Sequence, residues 1–513
     1  MIRNLISNNI ERYFKKIILS LSFLLYLPRF TDPDLWWHLR LGRELLQGNS
    51  INNLTFTCTN YIWVNYSWLT DVAMYLTFHN WGYLGLALLT SLIFIIGNYV
   101  NFLTLKHLVK QELNINLNGF ITLTFFLVFN FFFLFFFIYA RPQIFAFLFF
   151  SLLFNRLIKG YLESFSFRDY LMIGLIIISL VNVHGSFIIG LALTGLFLIV
   201  YLIKLAIEII TMSNIELVRK DLSKFYKFSI IILLFLVLSL FNPFGTNIWK
   251  EVFSQIFSNL NSLYVTEWAP INFHTAQGLL YLAIVILCLI FILLNKKIDI
   301  LRHLLFLCFV FIAFYSIRYQ IVSNIIITII LFFEIFSFVS KFKFSFHKDY
   351  EQLVKGLNIL ITIIFFTIII SIPFNLSNLK SMIDNPIKNS VSIKLPYQAV
   401  NYIKYKPNLL NLNYFNEYTW GGYLDFIISE KKWFIDGRMS NWICSNNPNG
   451  SILTDYISIS RIEPNWLDLL NEYTINGLII SKDSPLSNVI KYLPNWELEY
   501  TDDIAVIYRN KSK

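Results

Sequence analysis

The sequence has few charged residues, few glycines and few cysteines for its length. Only 14% of the 513 residues are Asp, Glu, Lys or Arg, whereas 56% are hydrophobic. Glycine occurs 19 times and phenylalanine 52 times. Soluble globular domains carry about a quarter charged residues, so this composition excludes an ordinary soluble protein. It predicts a polytopic membrane protein with bulky transmembrane helices.

Cysteine is scarce as well, and its positions do not indicate a metal site. Cys288 and Cys308 lie in apolar runs, and no two cysteines have the spacing of metal ligands. Cys58 and Cys444 fall in segments predicted to face one compartment, so a disulfide between them stays open. The sequence also lacks a glycine-rich nucleotide-binding loop and an internal repeat, and therefore does not indicate a nucleotide-binding enzyme or a repeat protein.

Long apolar runs dominate what is present. The first of them follows Lys15 and Lys16 and lacks a small-residue cleavage site, which predicts a retained helix rather than a signal peptide. About eleven runs, some of them short, have the composition of transmembrane helices. They cover residues 14–30, 83–105, 120–139, 142–157, 170–183, 186–203, 228–241, 278–294, 301–316, 321–339 and 356–373.

The distribution of positive charge predicts the orientation in the membrane. The formal net charge is +10, and most Lys and Arg residues fall in segments on the same face as the N-terminus. The connections between spans on the other face contain only Arg29, Arg40, Arg43, Arg141, Lys250 and Arg318. By the positive-inside rule, we expect a multi-pass protein of the plasma or inner membrane with a cytoplasmic N-terminus. The basicity reflects this topology, so nucleic acid is not an expected partner.

Two domains are predicted. Residues 1–373 form a transmembrane domain with a first outer loop at 31–82, and the end of this loop has the composition of an interfacial helix. Because the number of spans is odd, residues 374–513 lie outside the membrane on the outer face. In this tail, helix-like stretches alternate with strand-like ones, which predicts an extracytoplasmic α/β domain. The strand-like stretches include 411–415, 432–437, 475–481 and 504–510.

An unusual set of polar residues falls at the predicted outer ends of the spans. A charge in such a position needs water or a partner, and several charges that converge from different helices indicate a polar cavity. The cavity would open at the outer leaflet. The set comprises Asp32, Asp34, His38, Arg40, Arg141, His184, Asn242, Glu267 and Arg318.

The residues of the first outer loop allow a structural and a chemical interpretation. Asp32, followed by a proline, has the pattern of a helix N-cap. A helix that starts at this proline places Asp34 and His38 on one face at positions i and i+4, where a carboxylate and an imidazole can form a chemical centre. Trp36 and Trp37 are predicted to be interface anchors or, alternatively, platforms for sugar stacking.

The span-end residues also have two interpretations each. Arg141 and Arg318 either extend from helix ends to the interface or bind a phosphate, which suits the fork of donors on a guanidinium. His184, before a glycine, either caps a helix or faces the cavity. Glu267 is by default a solvated surface carboxylate.

Two motifs of the tail stay open at this point. In "NEYTWGGYL", Gly421 and Gly422 permit a tight turn, a close approach of a ligand, or a helix cap or packing contact. "FIDGR" ends a predicted strand, so Asp436 and Arg438 would lie in a turn. There they either face the cavity and the acceptor or pair with each other.

Several stretches together resemble a family. "DPDLWWHLRLGRELLQG", "WVNYSWLTDVAMY", "ARPQIF", "NVHGSFIIG", "FNPFG", "EWAP", "NEYTWGGYL" and "FIDGR" resemble largely uncharacterised bacterial membrane proteins allied to the GT-C glycosyltransferases. The resemblance extends from about residue 30 to the end. Residues 34–40 also resemble the first outer loop of the oligosaccharyltransferase catalytic subunit. The tail lacks the W-W-D-Y-G motif of that subunit, so transfer to asparagine is not supported, and the sequence has no adjacent Asp-Glu pair as in protein mannosyltransferases.

The resemblance implies a GT-C-like fold and assigns roles to the loop residues. Asp34 would be the catalytic or metal-binding aspartate, with Asp32 as the fallback and His38 beside it. A divalent metal ion is the one cofactor that the resemblance raises. From their positions, we expect the substrate-binding residues to be Arg40, Arg141, His184, Glu267 and Arg318.

The predicted function is that of a glycosyltransferase. It would move a sugar from a polyprenyl-phosphate-linked donor in the membrane to an envelope glycan, lipid or protein at the outer face. Such a donor supplies its own leaving group, so the enzyme needs a base, positive charge for the phosphate and an apolar flank. Two alternatives remain: a transporter or flippase of lipid-linked oligosaccharides, and a non-catalytic envelope assembly protein.

Overall fold

The computed structural model describes residues 22–28, 32–51, 54–59, 61–117, 120–212, 214–295, 299–341, 380, 394–443 and 450–511. The predicted span 356–373 and most of 14–30 lie outside these residues, as does Cys444. Among the described cysteines, Cys58 is disulfide-bonded, whereas Cys288 and Cys308 are free.

Twelve α-helices whose two ends are both described precede the tail, after a further helical stretch at 22–25. Their phenylalanines fill much of the core, for example Phe94 against Phe147 with ring centres 5.3 Å apart. The helices are α1 (Leu35–Leu46), α2 (Trp68–Leu113), α3 (Phe120–Leu134), α4 (Gln143–Leu162), α5 (Phe167–Val183), α6 (Phe187–Ile210), α7 (Ile215–Leu238), α8 (Asn247–Ile256), α9 (Asn259–Tyr264), α10 (Ala276–Asn295), α11 (Ile300–Tyr315) and α12 (Gln320–Lys341).

Five helical segments of the described chain are long and apolar enough to cross a membrane, so this is a multi-pass membrane protein. They are α2, α4, α6, α10 and Ile317–Lys341. Helix α2 runs through the end of the predicted outer loop into the predicted span 83–105, and its backbone departs from helical geometry at Gly82. Gly82, with φ 57° and ψ −154°, thus separates two consecutive helices, one at the end of the loop and one in the predicted span.

The tail contains a four-stranded sheet, in agreement with an α/β structure. The strands are β1 (Tyr414–Asn416), β2 (Gly477–Ser481), β3 (Trp496–Thr501) and β4 (Ala505–Asn510), in the order β1-β2-β4-β3. Strands β1 and β2 are parallel, and the other pairs are antiparallel. The helices of the tail are α13 (Tyr397–Lys404), α14 (Pro407–Leu410), α15 (Gly421–Ile427), α16 (Ile452–Ser460), α17 (Trp466–Glu472) and α18 (Pro485–Ile490).

The predicted strand at 432–437 is wrong, although the segment is extended and buried. Side chains rather than a neighbouring strand satisfy its backbone. Thr55 Oγ1 donates to the carbonyl of Trp433 (2.8 Å), and Asn416 Nδ2 donates to the carbonyl of Ile435 (2.9 Å). Asn416 Oδ1 also accepts from the Phe434 N–H (3.0 Å). The segment is thus tied to both the first outer loop and β1.

Helix α1 packs directly against α15 of the tail. Trp36 is 1% exposed, with its ring 5.4 Å from that of Tyr423, and Trp37 is 7% exposed. The interface-anchor interpretation of these tryptophans is therefore wrong, because the tail covers them. Gly422 permits this approach, since a Cβ atom there would lie 3.1 Å from Trp37.

A buried ion cluster at the first turn of α11 joins three helices. Arg302 Nη1 lies 2.6 Å from Glu112 Oε2 of α2, and Arg302 Nε lies 3.1 Å from Glu334 Oε1 of α12. The guanidinium also lies over the ring of Phe333, 4.2 Å from its centre. A carboxylate as buried as Glu334 depends on this partner.

We expect Arg302→Met to destabilise the protein by roughly 3–5 kcal/mol, because it leaves the Glu334 charge buried without a partner. Unfolding in lipid nanodiscs measures the effect. Arg509→Met is the control: Arg509 binds Glu499 on the exposed face of the sheet, and loss of such a pair costs less than about 1 kcal/mol. Equal losses in the two variants would contradict the prediction.

Candidate active site

A polar cavity of about 260 Å³ lies where α1, the ends of several long helices and the tail meet. Six of the eight residues predicted for the site line it, although they come from five separate parts of the chain. This convergence agrees with the expectation of a polar cavity built from span ends. The six residues are Asp34, His38, Arg141, His184, Glu267 and Arg318.

Arg141 is at the centre of the charged groups. Its Nε lies 2.8 Å from Asp32 Oδ1, its Nη1 lies 2.7 Å from Glu267 Oε1, and its Nη2 binds Asp34 Oδ2. The guanidinium is 5% exposed and lies over the ring of Tyr139. It is placed by the "ARP" stretch, which leads into α4. One cation thus holds three carboxylates from two segments of the chain.

The burial of this cluster changes the acidity of its members. Burial, opposed by Arg141, raises the pKa of Asp32 to about 7. Glu267 is only partly buried, and Arg141 and Arg318 hold its pKa below the ordinary value against the effect of burial. Glu267 is therefore an ion-paired carboxylate of the site and not the solvated surface group that we expected by default.

The start of α1 differs from the prediction. The helix begins at Leu35 rather than at Pro33, and Asp34 is the residue before its first turn. Asp32 still accepts a hydrogen bond from the backbone, since its Oδ1 lies 2.8 Å from the Asp34 nitrogen. Asp34 and His38 are close in sequence but bind different partners. Both side chains line the same cavity, but Asp34 is bound by Arg141 and His38 by Asp71 rather than by each other.

His38 is held by Asp71, a residue that the sequence analysis did not single out. His38 Nδ1 lies 2.6 Å from Asp71 Oδ1, and Asp71 Oδ2 accepts from Asn65 Nδ2 (2.7 Å). Asp71 is fully buried at the start of α2. Since Nδ1 is engaged, Nε2 is the ring nitrogen of His38 that remains for the cavity. Asn65 and Asp71 lie within the "WVNYSWLTDVAMY" stretch. Its resemblance to the family was the one feature of the sequence that could have indicated these two residues.

His184 and Arg318 form a pair of donors on another wall. The backbone N–H of Ser186 donates to His184 Nδ1 (3.0 Å), so this nitrogen carries no proton. Burial and the nearby Arg318 lower the pKa of His184 well below its ordinary value, which keeps the ring neutral with its proton on Nε2. His184 Nε2 lies 3.4 Å from Arg318 Nη2. Two N–H groups therefore face each other, and both can donate to one anion.

Arg318 also borders two less polar recesses beside the cavity. Its guanidinium lies over the ring of Trp268, 4.6 Å from the centre, and its Nη1 is 3.9 Å from Glu267 Oε2. One recess runs between α4, α6, α8 and α12, and the other between the end of α3 and α12. Their apolar lining includes Ala146, Ile188, Ile189, Val252, Ile256, Val322, Phe136, Phe137 and Ile321.

Arg40 does not line the cavity. Its Nη1 and Nη2 donate to the carbonyls of Asp425 (3.0 Å) and Ser429 (2.8 Å), and its Nε pairs with Glu44. Arg40 therefore fastens the tail to α1. We therefore do not include Arg40 among the residues that bind substrate in the proposal.

The tail closes the cavity with the residues of "FIDGR". Asp436 and Arg438 pair with each other, as one of the two interpretations had it, and Arg438 also lines the cavity. Gly437 lies against Asp34: a Cβ atom at this position would overlap Asp34 Oδ1. Only glycine fits here without moving the carboxylate.

The arrangement does not fit a divalent cation. The described residues contain no group of three His, Cys, Asp or Glu side chains that could hold a metal ion. Asp32, Asp34 and Glu267 do converge, but they converge on the guanidinium of Arg141, which lies where a cation would bind. No step below is assigned to a metal.

Comparisons with known proteins give a fold. No family model and no curated protein matches the sequence. The archaeal oligosaccharyltransferase AglB from Archaeoglobus fulgidus, solved with an inhibitory peptide and a dolichol-phosphate, matches with a TM-score of 0.53 and 10% identity over 97% of this chain and 74% of that chain. The chain has the GT-C fold. ArnT from Cupriavidus metallidurans, solved with undecaprenyl phosphate, has a TM-score of 0.44 and 12% identity over 97% of both chains.

The GT-C resemblance drawn from the sequence motifs is thus confirmed for the fold. At 10% identity, the match with AglB extends to the architecture alone. The chemistry of this chain has to be argued from its own cavity.

We expect Arg141→Gln to destabilise the protein by roughly 3–5 kcal/mol at pH 8, because three carboxylates then share a buried wall without a cation. Their pKa values rise above those of the unfolded chain, so the folded state recovers stability as the pH falls and they take up protons. Unfolding at pH 8 and pH 5, with wild type as reference, measures this. A loss that is the same at both pH values would contradict the prediction.

Proposed function

We propose that this protein is a glycosyltransferase that takes a sugar from a polyprenyl-phosphate-linked donor in the membrane. The acceptor would be an envelope glycan, lipid or protein. The observation that carries the proposal is the pair of groups that line the cavity beside the recesses. Carboxylates held by Arg141 form a carboxylate wall, and the donors of Arg318 and His184 form a donor wall. Glu267, which pairs with both arginines, joins the two.

The donor wall suits the phosphate of a lipid carrier. Arg318 supplies a positive charge, and His184 Nε2–H supplies a second hydrogen-bond donor to the same anion. The adjoining recess between α4, α6, α8 and α12 has a mostly apolar lining, which suits the start of a polyprenyl chain. The dolichol-phosphate in the AglB structure supports a carrier of this class in the same fold.

The carboxylate wall suits the acceptor. In the transfer, the acceptor oxygen attacks the anomeric carbon of the sugar, and the bond between that carbon and the phosphate oxygen breaks. The bonding electron pair leaves with the polyprenyl phosphate, and the acceptor proton passes to Asp34. Arg318 and His184 stabilise the charge that develops on the leaving phosphate. His38, oriented by Asp71, presents Nε2 to the same wall as a second hydrogen-bond acceptor.

The membrane orientation follows from the same proposal. With the cytoplasmic N-terminus expected from the positive-inside rule, the cavity and the tail at 374–513 would belong to the outer face of the plasma or inner membrane. A polyprenyl-linked donor presented there needs no nucleotide-binding fold. The first outer loop and the tail, which together enclose the cavity, are then both extracytoplasmic.

Asp34→Asn should lower transfer by about 10²–10⁴-fold, because the neutral amide cannot take the acceptor proton. The test compares surface glycans and lipid-linked sugars by mass spectrometry in the native host, a deletion strain and the Asp34→Asn strain at matched protein levels. We expect one defined sugar to be lost and its polyprenyl donor to accumulate in both altered strains.

Asp468→Asn, a change at an exposed aspartate of α17, is the matched control and should behave as wild type. Unaltered glycans in the deletion strain, or wild-type glycans with Asp34→Asn, would contradict the proposal. Either result would favour the transporter or assembly-protein alternative.

Arg318→Gln should weaken the binding of undecaprenyl phosphate about 10- to 100-fold, since one charge-assisted contact to the phosphate is lost. Binding to the full-length protein in nanodiscs measures this. Arg509→Gln, a change on the remote sheet, should bind as wild type. The phosphate site is assigned wrongly if both variants bind equally well.

A further inference from the structure

Two buried N–H groups on the cavity wall have no hydrogen-bond partner among the described residues. They are Trp37 Nε1 and Arg438 Nη1, from residues that are 7% and 4% exposed. Both residues line the polar cavity. Buried donors are rarely left unpaired, so a pair of them at one cavity points to a ligand that accepts hydrogen bonds.

Arg438 is fixed so that only this one arm is available. Its Nε donates to Asp436 Oδ1 (2.9 Å), and its Nη2 binds Asp436 and Asp425 Oδ2. The guanidinium also lies near the rings of Trp63 and Trp442, 5.7 and 5.9 Å from their centres. Since Asp436 balances its charge, Arg438 offers a directed N–H donor rather than a free cation.

Trp37 is fixed beside the carboxylate of the proposed chemistry. Its ring stacks on that of His38 at 3.5 Å and meets Trp63 edge-on at 6.0 Å. A Cβ atom on Gly437 would overlap Asp34 Oδ1 and lie 3.0 Å from Trp37 Nε1. The donor Trp37 Nε1 and the acceptor Asp34 Oδ1 therefore both lie next to Gly437. Arg438 is the next residue in the chain.

These groups select the chemistry of the ligand. An anion at the two donors would be repelled by Asp34, and an ammonium group could not accept from Trp37 or Arg438. A hydroxyl can accept from an N–H and donate to a carboxylate at once. The two donors belong to different residues, and the neighbouring hydroxyls of a sugar offer several acceptor oxygens that can reach both of them while one hydroxyl donates to Asp34.

We propose that Trp37 Nε1 and Arg438 Nη1 form a subsite for a carbohydrate acceptor, which holds the hydroxyl whose proton passes to Asp34. This inference rests on the proposed function and names its acceptor class. The aromatic wall beside the donors, with Trp63 and Tyr418, provides apolar faces for a sugar ring. Of the acceptors left open above, the aromatic faces and the two donors favour a glycan or glycolipid.

The test measures binding of the methyl glycosides of glucose, galactose, mannose and N-acetylglucosamine to the full-length protein in nanodiscs. Trp37→Phe removes the N–H and keeps a ring. We expect at least one glycoside to bind wild type and to bind Trp37→Phe about tenfold more weakly, the factor that corresponds to a hydrogen bond of about 1.4 kcal/mol.

Trp433→Phe is the matched control. Trp433 Nε1 is also buried without a partner among the described residues, but Trp433 does not line the cavity. This variant should bind the glycoside as wild type does. Arg438→Lys, which keeps a cation for Asp436, should weaken binding as Trp37→Phe does, and the thermal stability of each variant is recorded alongside.

Undecaprenyl phosphate, added to the same samples, separates this inference from the proposed function. If undecaprenyl phosphate does not bind wild type, the proposed function fails. If it binds and no glycoside does, or if Trp37→Phe binds glycoside as wild type, only the acceptor subsite fails. Glycoside bound together with undecaprenyl-phosphoryl-glucose supports an acceptor site, whereas displacement would assign the subsite to the transferred sugar and overturn the inference.

Discussion

The buried guanidinium of Arg141 is the constraint on which the cavity depends. A charge that is 5% exposed at the end of an apolar bundle requires compensation. Asp32 and Asp34 supply it from the segment before α1, and Glu267 supplies it from the loop after α9. Ion pairing with this one guanidinium therefore holds two distant segments at the start of α4. These paired residues form one wall of the site.

The tail is fastened to the same place by a second set of contacts. Arg40 binds two carbonyls beside α15, and Trp36 packs against Tyr423. The segment at 432–437 is extended and buried because side chains of β1 and the first outer loop satisfy its backbone. These contacts carry Gly437 and Arg438 to the cavity. The tail thus contributes to the site as well as covering it.

The cavity contains both kinds of group that the proposed transfer requires. Acceptor atoms of Asp34 and His38 and the N–H groups of Arg318 and His184 line it together, and Glu267 pairs with both Arg141 and Arg318. A hydroxyl nucleophile needs an acceptor for its proton, and a leaving phosphate needs donors. The proposed function depends on the presence of both at one place.

The sequence by itself determined the membrane class, many of the helices and the set of polar residues that converge. Apolar run length and the scarcity of charge within the runs are local properties, and they predicted Asp34, Arg141, His184, Glu267 and Arg318 at one face. Only the tertiary structure decided the partners. Local spacing paired Asp34 with His38, whereas burial favoured Arg141 and Asp71, because a buried charge is bound by the partner that best replaces water, wherever it lies in the chain.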